Sequence, residues 1–111
     1  MSNVKAVVDQ LFSSIDGVMA IGIIDDSGMV MASAGSGINI EIAGAGNSEV
    51  VRAKLKTMKN LGITDALEDI LITLSGQYHI IRPTAKYDGV FIYVVLDRKT
   101  GNLALARRQV L

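Results

Sequence analysis

The chain has 111 residues, 50% hydrophobic and 20% charged, with eleven basic and eleven acidic side chains that give a formal net charge of zero. A chain of this size buries roughly 65% of the surface that its unfolded form exposes, enough for one core, so a single domain over residues 1 to 111 is expected. The neutral balance and a pI near 6.5 argue against nucleic acid or an anionic membrane as partner, and the absence of cysteine excludes disulfides, thiolate ligands and thiol nucleophiles.

The N-terminus, Met1-Ser2-Asn3-Val4-Lys5, lacks a long apolar run after its basic residue, and no stretch of about 18 apolar residues occurs. A cytoplasmic protein without membrane insertion is expected. Mean hydropathy is +0.38 while aromatic content is only 5%. The apolar surplus is therefore aliphatic, and part of it is expected at a subunit interface.

Val4, Val7, Val8, Leu11, Phe12 and Ile15 recur at helical spacing, with Lys5, Asp9 and Ser13 opposite, and Gly17 stops this first helix. Val18 to Ile24 reads as a buried strand that enters a tight turn at Asp25-Asp26-Ser27-Gly28. In such a turn Asp bonds backbone N–H groups ahead of it and Gly accepts positive φ. Met29 to Ala34 returns antiparallel, and Gly35-Ser36-Gly37 opens a flexible connection. From about Ile40 to Leu61 the helical period resumes. Gly44, Val51, Leu55 and Met58 form one stripe, Ala43, Val50, Ala53 and Leu61 flank it, and Gly62 is the stop. Leu67 to Leu74 is a strand with Ile70, Ile72 and Leu74 on one face and Leu71 on the other. Ser75-Gly76-Gln77 turns the chain, and Tyr78 to Arg82 runs back until Pro83 removes a donor. Thr84 to Gly89 is a polar loop, Val90 to Leu96 an apolar strand, and Asn102 caps a final helix that runs to Leu111.

The order α-β-β-α-β-β-β-α, with hairpin-linked strands, gives an α+β fold around an antiparallel sheet. The buried character of Val18 to Ile24 and Val90 to Leu96 puts helices on both faces at its centre. Ile21 to Val30 with Ala32-Ser33, Leu61-Gly62 to Pro83, and Asn102-Leu103-Ala104-Leu105-Ala106-Arg107 resemble, in order and spacing, the Roadblock (dynein light chain) superfamily. The resemblance covers nearly the whole chain and departs in Gly35 to Ser48, where six glycines or serines make the start of the long helix permissive. It implies a five-stranded, profilin-like sheet and a homodimer in which third strands and long helices of two copies meet, through Val50, Ala53, Ile70, Ile72 and Leu74. An edge strand at Leu67 to Leu74 carries no Pro or Lys to discourage pairing, which agrees with dimerisation.

No catalytic motif is present. Gly44-Ala45-Gly46 begins a G-x-G pattern, but Glu49 stands where the dinucleotide fingerprint needs a third Gly; Gly35-Ser36-Gly37 lacks the Gly-Lys-Ser/Thr of a P-loop. His79 is the only histidine and has no second ligand for a metal set, so a hydrogen-bonded strand histidine is expected. Asp25 and Asp26 read as turn residues, since adjacent strand-end side chains diverge. Neither a cofactor nor a metal is expected. Arg52, Lys56 and Lys59 share one face of the long helix, which is either a solvated face or a docking stripe for an acidic surface. Arg98 and Lys99 read as a plain loop or, more remotely, as a finger reaching a nucleotide in trans. The resemblance to the bacterial Mgl-type branch implies a non-enzymatic platform for a Ras-like small GTPase in motility and cell polarity. The alternative is a structural adaptor bridging subunits of a motor or scaffold.

Overall fold

The computed structural model describes residues 3–84 and 89–110. Its elements are α1 (Val4–Ser14), β1 (Val18–Asp25), β2 (Val30–Gly35), α2 (Ile40–Asn60), β3 (Ile70–Thr73), β4 (Gln77–Pro83), β5 (Val90–Asp97) and α3 (Leu103–Gln109). All strand pairs are antiparallel, in the order β2-β1-β5-β4-β3. The expected α+β order and five-stranded sheet are thus present, and the two most apolar strands, β1 and β5, are neighbours at its centre.

Alternation along the strands divides the core into two layers. Ile21, Ile23, Ile80, Val94 and Leu96 face one way, against Val8, Leu11 and Phe12 of α1 and Leu103 and Ala106 of α3. Ala20, Ile24, Ile81, Phe91, Tyr93 and Val95 face the other way, against Ile40, Ala43 and Val51 of α2. Two helices therefore cover one face and one helix the other. Val7, expected in the packed stripe of α1, is exposed; the helix meets the sheet along the line of Val8 and Ile15, and Val7 lies to its side.

Both edges of the sheet are marked. On β2 the register steps from Ile23↔Ala32 to Ile24↔Val30, which leaves Met31 as a bulged extra residue, and the Lys5 ammonium donates to the Ser33 carbonyl at 2.7 Å. A bulge and a lysine both discourage pairing of an open edge. The other edge, β3, is shorter than the expected Leu67 to Leu74. Residues 67–69 lie outside the ladder, which begins at Ile70, and the Leu74 N–H closes the hairpin onto the Gln77 carbonyl at 2.9 Å. Nor is Gly35 a flexible link, since it ends β2 paired with Ala20. At the far end the Asn102 side chain accepts the Leu105 N–H at 3.0 Å, the expected cap. Residues 85–88 of the loop expected from Thr84 to Gly89, and Leu111 of the last helix, lie outside the described residues.

The β1–β2 turn is fitted to α2 by a close backbone approach. A Cβ on Gly44 would lie 3.0 Å from the Gly28 carbonyl oxygen and 3.4 Å from Ile24. Gly44→Val forces that contact apart, so we predict a loss of about 2 kcal/mol, within the range for overpacking, read as a lower denaturation midpoint with an unchanged slope.

Candidate functional site

The long helix α2 is defined by its ends as well as its period. Asn39, extended at φ −77°, accepts the Ile42 N–H at 3.1 Å. The permissive start at Gly35 to Ser48 is thereby fixed one residue before the helix begins. At the other end the Gly62 N–H bonds the Lys59 carbonyl and the Ile63 N–H the Met58 carbonyl, with Gly62 at φ +73°. This is the double-bonded glycine stop of a Schellman motif.

Its buried face is Gly44, Ser48 and Met58, with Asn47 and Val51 half-buried. Leu55 departs from expectation. It lies on the wheel between the buried Gly44 and Ser48, yet it is 47% exposed. The strands that α2 approaches most closely are β1 and β2, and among the described residues no other helix lies on this side to cover Leu55. Val50, Ala53 and Leu61 are exposed as well, and Leu61 reaches 66%.

Arg52, Lys56 and Lys59 are all exposed on α2, and at about 100° per residue Val50 falls roughly opposite Arg52 and Lys59. The basic residues and Val50 thus occupy different faces. Arg52 also has a structural partner, since its guanidinium donates to the Asp26 carbonyl and so ties the β1–β2 turn to the helix. On the edge strand, Ile70 and Ile72 point towards the α2 layer and are half-buried. Leu74 does not share their face as expected: it lies past the end of β3, in the hairpin turn, and is exposed.

The remaining polar candidates resolve into local structure. The Asp25 carboxylate accepts from the Ser27 hydroxyl at 2.6 Å, the Ser27 N–H at 3.0 Å and the Met29 N–H at 3.0 Å. The Ser27 hydroxyl first, and then the Met29 N–H, hold its pKa below the usual carboxylate value. Gly46 faces open space and Gly44 packs on the turn, so the G-x-G stretch lies within helix α2, with no phosphate cradle. Arg98 donates to the Leu74 carbonyl at 2.9 Å and lies over the Tyr78 ring, 5.1 Å from its centroid. That contact fixes the β3–β4 hairpin and leaves no free finger. Among the described residues, no three His, Cys, Asp or Glu side chains converge as a metal site, and no helix is long and apolar enough to cross a membrane.

His79 is a hydrogen-bonded strand histidine. Its Nδ1 lies 2.8 Å from the Tyr93 hydroxyl and its Nε2 lies 2.8 Å from the Gln77 side-chain oxygen. Burial pushes its pKa down. Burial pushes the Tyr93 phenol up, and a side-chain hydrogen bond from Asn47 of α2 opposes that.

Sequence reasoning missed Asp69. Its side chain is 8% exposed and takes Arg82 at 3.2 Å and the Arg107 fork at 2.8 and 2.9 Å. One carboxylate thus joins the approach to β3, strand β4 and helix α3. The only sequence signal is an acid directly before an aliphatic strand, and its partners stand 13 and 38 residues away.

No protein-family model matches the chain, and no curated protein matches it. Solved structures do. Its fold is that of the Roadblock/LC7 proteins: it superimposes on the Roadblock/LC7 domain from Streptomyces avermitilis with a TM-score of 0.83 at 11% identity, over 96% of this chain and 87% of that one. It also superimposes on MglB of Myxococcus xanthus with a TM-score of 0.84 at 19% identity, over 99% of this chain and 87% of that one. The gliding protein MglB of Thermus thermophilus gives 0.81 at 13% identity, over 97% of this chain and 80% of that one.

Removing the Asp69 carboxylate orphans Arg82, whose side chain is 14% exposed. Asp69→Ala should cost about 2–4 kcal/mol, the penalty for an unpaired, largely buried charge moderated by partial solvent access. Arg107→Ala, at a more exposed partner, should cost less than about 1 kcal/mol. Urea denaturation of both variants gives the comparison.

Proposed function

We propose that the protein is a non-enzymatic, homodimeric, cytoplasmic platform for a Ras-like small GTPase. It would hold the GTPase's own switch segments in a hydrolysis-competent arrangement, a shift of populations with no added chemical group. The observation that carries this reading is the divided surface of α2. Val50 and Leu61, about 20° apart on the helix wheel, are apolar side chains left uncovered among the described residues, and Arg52, Lys56 and Lys59 form an exposed basic stripe on another face.

An apolar flank of this kind suits a second copy, with Val50 and Ala53 of α2 meeting their counterparts and the open edge of β3 extended by its own twin through Ile70, Ile72 and the adjacent Leu74. The basic stripe then stays open to an acidic partner surface. The two interfaces do not compete. Likeness to MglB structures, one of them described as a gliding protein, favours the GTPase reading and a role in motility or polarity over a purely structural adaptor.

Light scattering should give wild-type protein twice the 11.8 kDa chain mass at micromolar concentration. Val50→Glu should run at the single-chain mass with an unchanged circular dichroism spectrum, because the side chain is already solvent-accessible in the isolated fold. A wild-type monomer overturns the dimer.

For the partner, reversing Arg52, Lys56 and Lys59 to Glu should slow association with the GTPase recovered from native lysate by on the order of tenfold or more at low salt. A Lys56→Glu, Lys59→Glu pair, which keeps the Arg52 bond to the turn, should retain most of that effect. Binding at the wild-type rate would return the stripe to a solvated face. Recovery of no GTPase under GTP or GDP loading would favour the adaptor.

A further inference from the structure

The carboxylate that joins β4 to α3 leaves a positive charge unbalanced. Asp69 accepts from Arg82 Nη1 at 3.2 Å and from Nε and Nη2 of Arg107 at 2.8 and 2.9 Å, so two guanidiniums share one negative group. Beside them a cavity of about 420 Å³ opens between the approach to β3 and helix α3, lined by Glu68, Arg82, Ala104, Arg107 and Arg108. Three guanidiniums therefore stand against the two carboxylates of Glu68 and Asp69, a surplus of one positive charge.

Donors remain free to meet a ligand there. Of the three nitrogens of the Arg82 guanidinium only Nη1 is bonded among the described residues. The one buried side-chain atom without a partner among those residues is Gln109 Oε1. Nε and Nη2 of Arg82 therefore reach solvent, although the side chain is only 14% exposed, and the space that this side chain lines is the cavity. Arg108 is exposed and has no hydrogen bond or ion pair among the described residues. Asp69 holds the other two guanidiniums in place, so less side-chain freedom is lost when something binds them.

We propose that this cavity binds a small organic acid through a single carboxylate. A guanidinium fork matches a planar carboxylate in geometry as well as in charge. One negative charge balances the surplus, whereas a dianion would exceed it and stand beside Glu68. The cavity falls within the roughly 300–1,000 Å³ of small-molecule sites and is far larger than a carboxylate group, so the acid carries a body. Ala104 and the aliphatic stems of Arg107 and Arg108 offer that body apolar contact. An acidic protein segment would bring further carboxylates against Glu68, and a free monoacid brings none.

The site does not depend on the platform reading. Ile81 faces the α2 layer, so its strand neighbour Arg82 stands on the other side of the sheet, with α3. Occupation of the cavity leaves the surface of α2 untouched.

Arginine Nε–Hε NMR signals report the site directly. At pH 7.5 and fixed ionic strength, benzoate should shift the Arg82 and Arg108 signals saturably, neutral benzamide should not, and inorganic phosphate should bind more weakly than benzoate. Arg108→Gln should weaken benzoate by roughly tenfold, the loss of one charge-assisted hydrogen bond. Its denaturation midpoint should not change, because that side chain is exposed and leaves no partner orphaned. Glu68→Gln should strengthen phosphate more than benzoate. Benzoate shifts that grow without saturating, equal shifts from benzamide, phosphate as tight as benzoate, or affinities unmoved by both substitutions overturn the site. So does binding of a capped peptide with a single glutamate where benzoate fails, since the cavity then recognises a polypeptide.

Discussion

A five-stranded sheet is about 24 Å wide at 4.8 Å per strand, whereas a helix with its side chains is about 10 Å across. That geometric mismatch governs the molecule. On one face α1 and α3 lie side by side and close the layer. On the other α2 lies alone, over β1 and β2, and its length does not make up for its width. What the chain does to hold α2 in place, and what it leaves open around it, both follow from this shortage of cover.

Beside the packing of Ile40, Ala43 and Val51 against the sheet, two further contacts fasten the helix. Gly44 lets the β1–β2 turn approach its backbone, and Arg52 bonds the carbonyl of Asp26. Each is polar or steric, and each acts at the N-terminal two-thirds of the helix. Beyond them Leu55 and Leu61 remain in water, where apolar surface is stabilised only by burial against something else. On the opposite side of the sheet Asp69 performs a comparable service for α3, joining it to the β3–β4 edge through two arginines.

How far the sequence could be read depended on the range of the interaction that decides each feature. The Asp25 turn, the Asn102 cap and the Gly62 stop are settled within four residues, and side-chain chemistry alone identifies them. The central placement of β1 and β5 was legible because burial on both faces removes the alternation expected of an edge. Leu55 misled because helical period reports direction only; whether anything lies in that direction depends on the width of the sheet. The junction of Asp69 with Arg82 and Arg107 was not legible, because those partners stand 13 and 38 residues away. The Tyr93 and His79 pair joins β5 to β4, and no local pattern marks it.

The central claim is that the uncovered flank of α2 is completed by a second copy of the chain. The direct measurement is an isotope-filtered NOE experiment on a sample that mixes labelled and unlabelled protein. Intermolecular contacts should appear at the methyl groups of Val50 and Leu61 and be absent from Val8 and Val94, which are enclosed within one chain. Methyl contacts confined to single molecules at millimolar concentration, with Leu61 still in solvent, would contradict it.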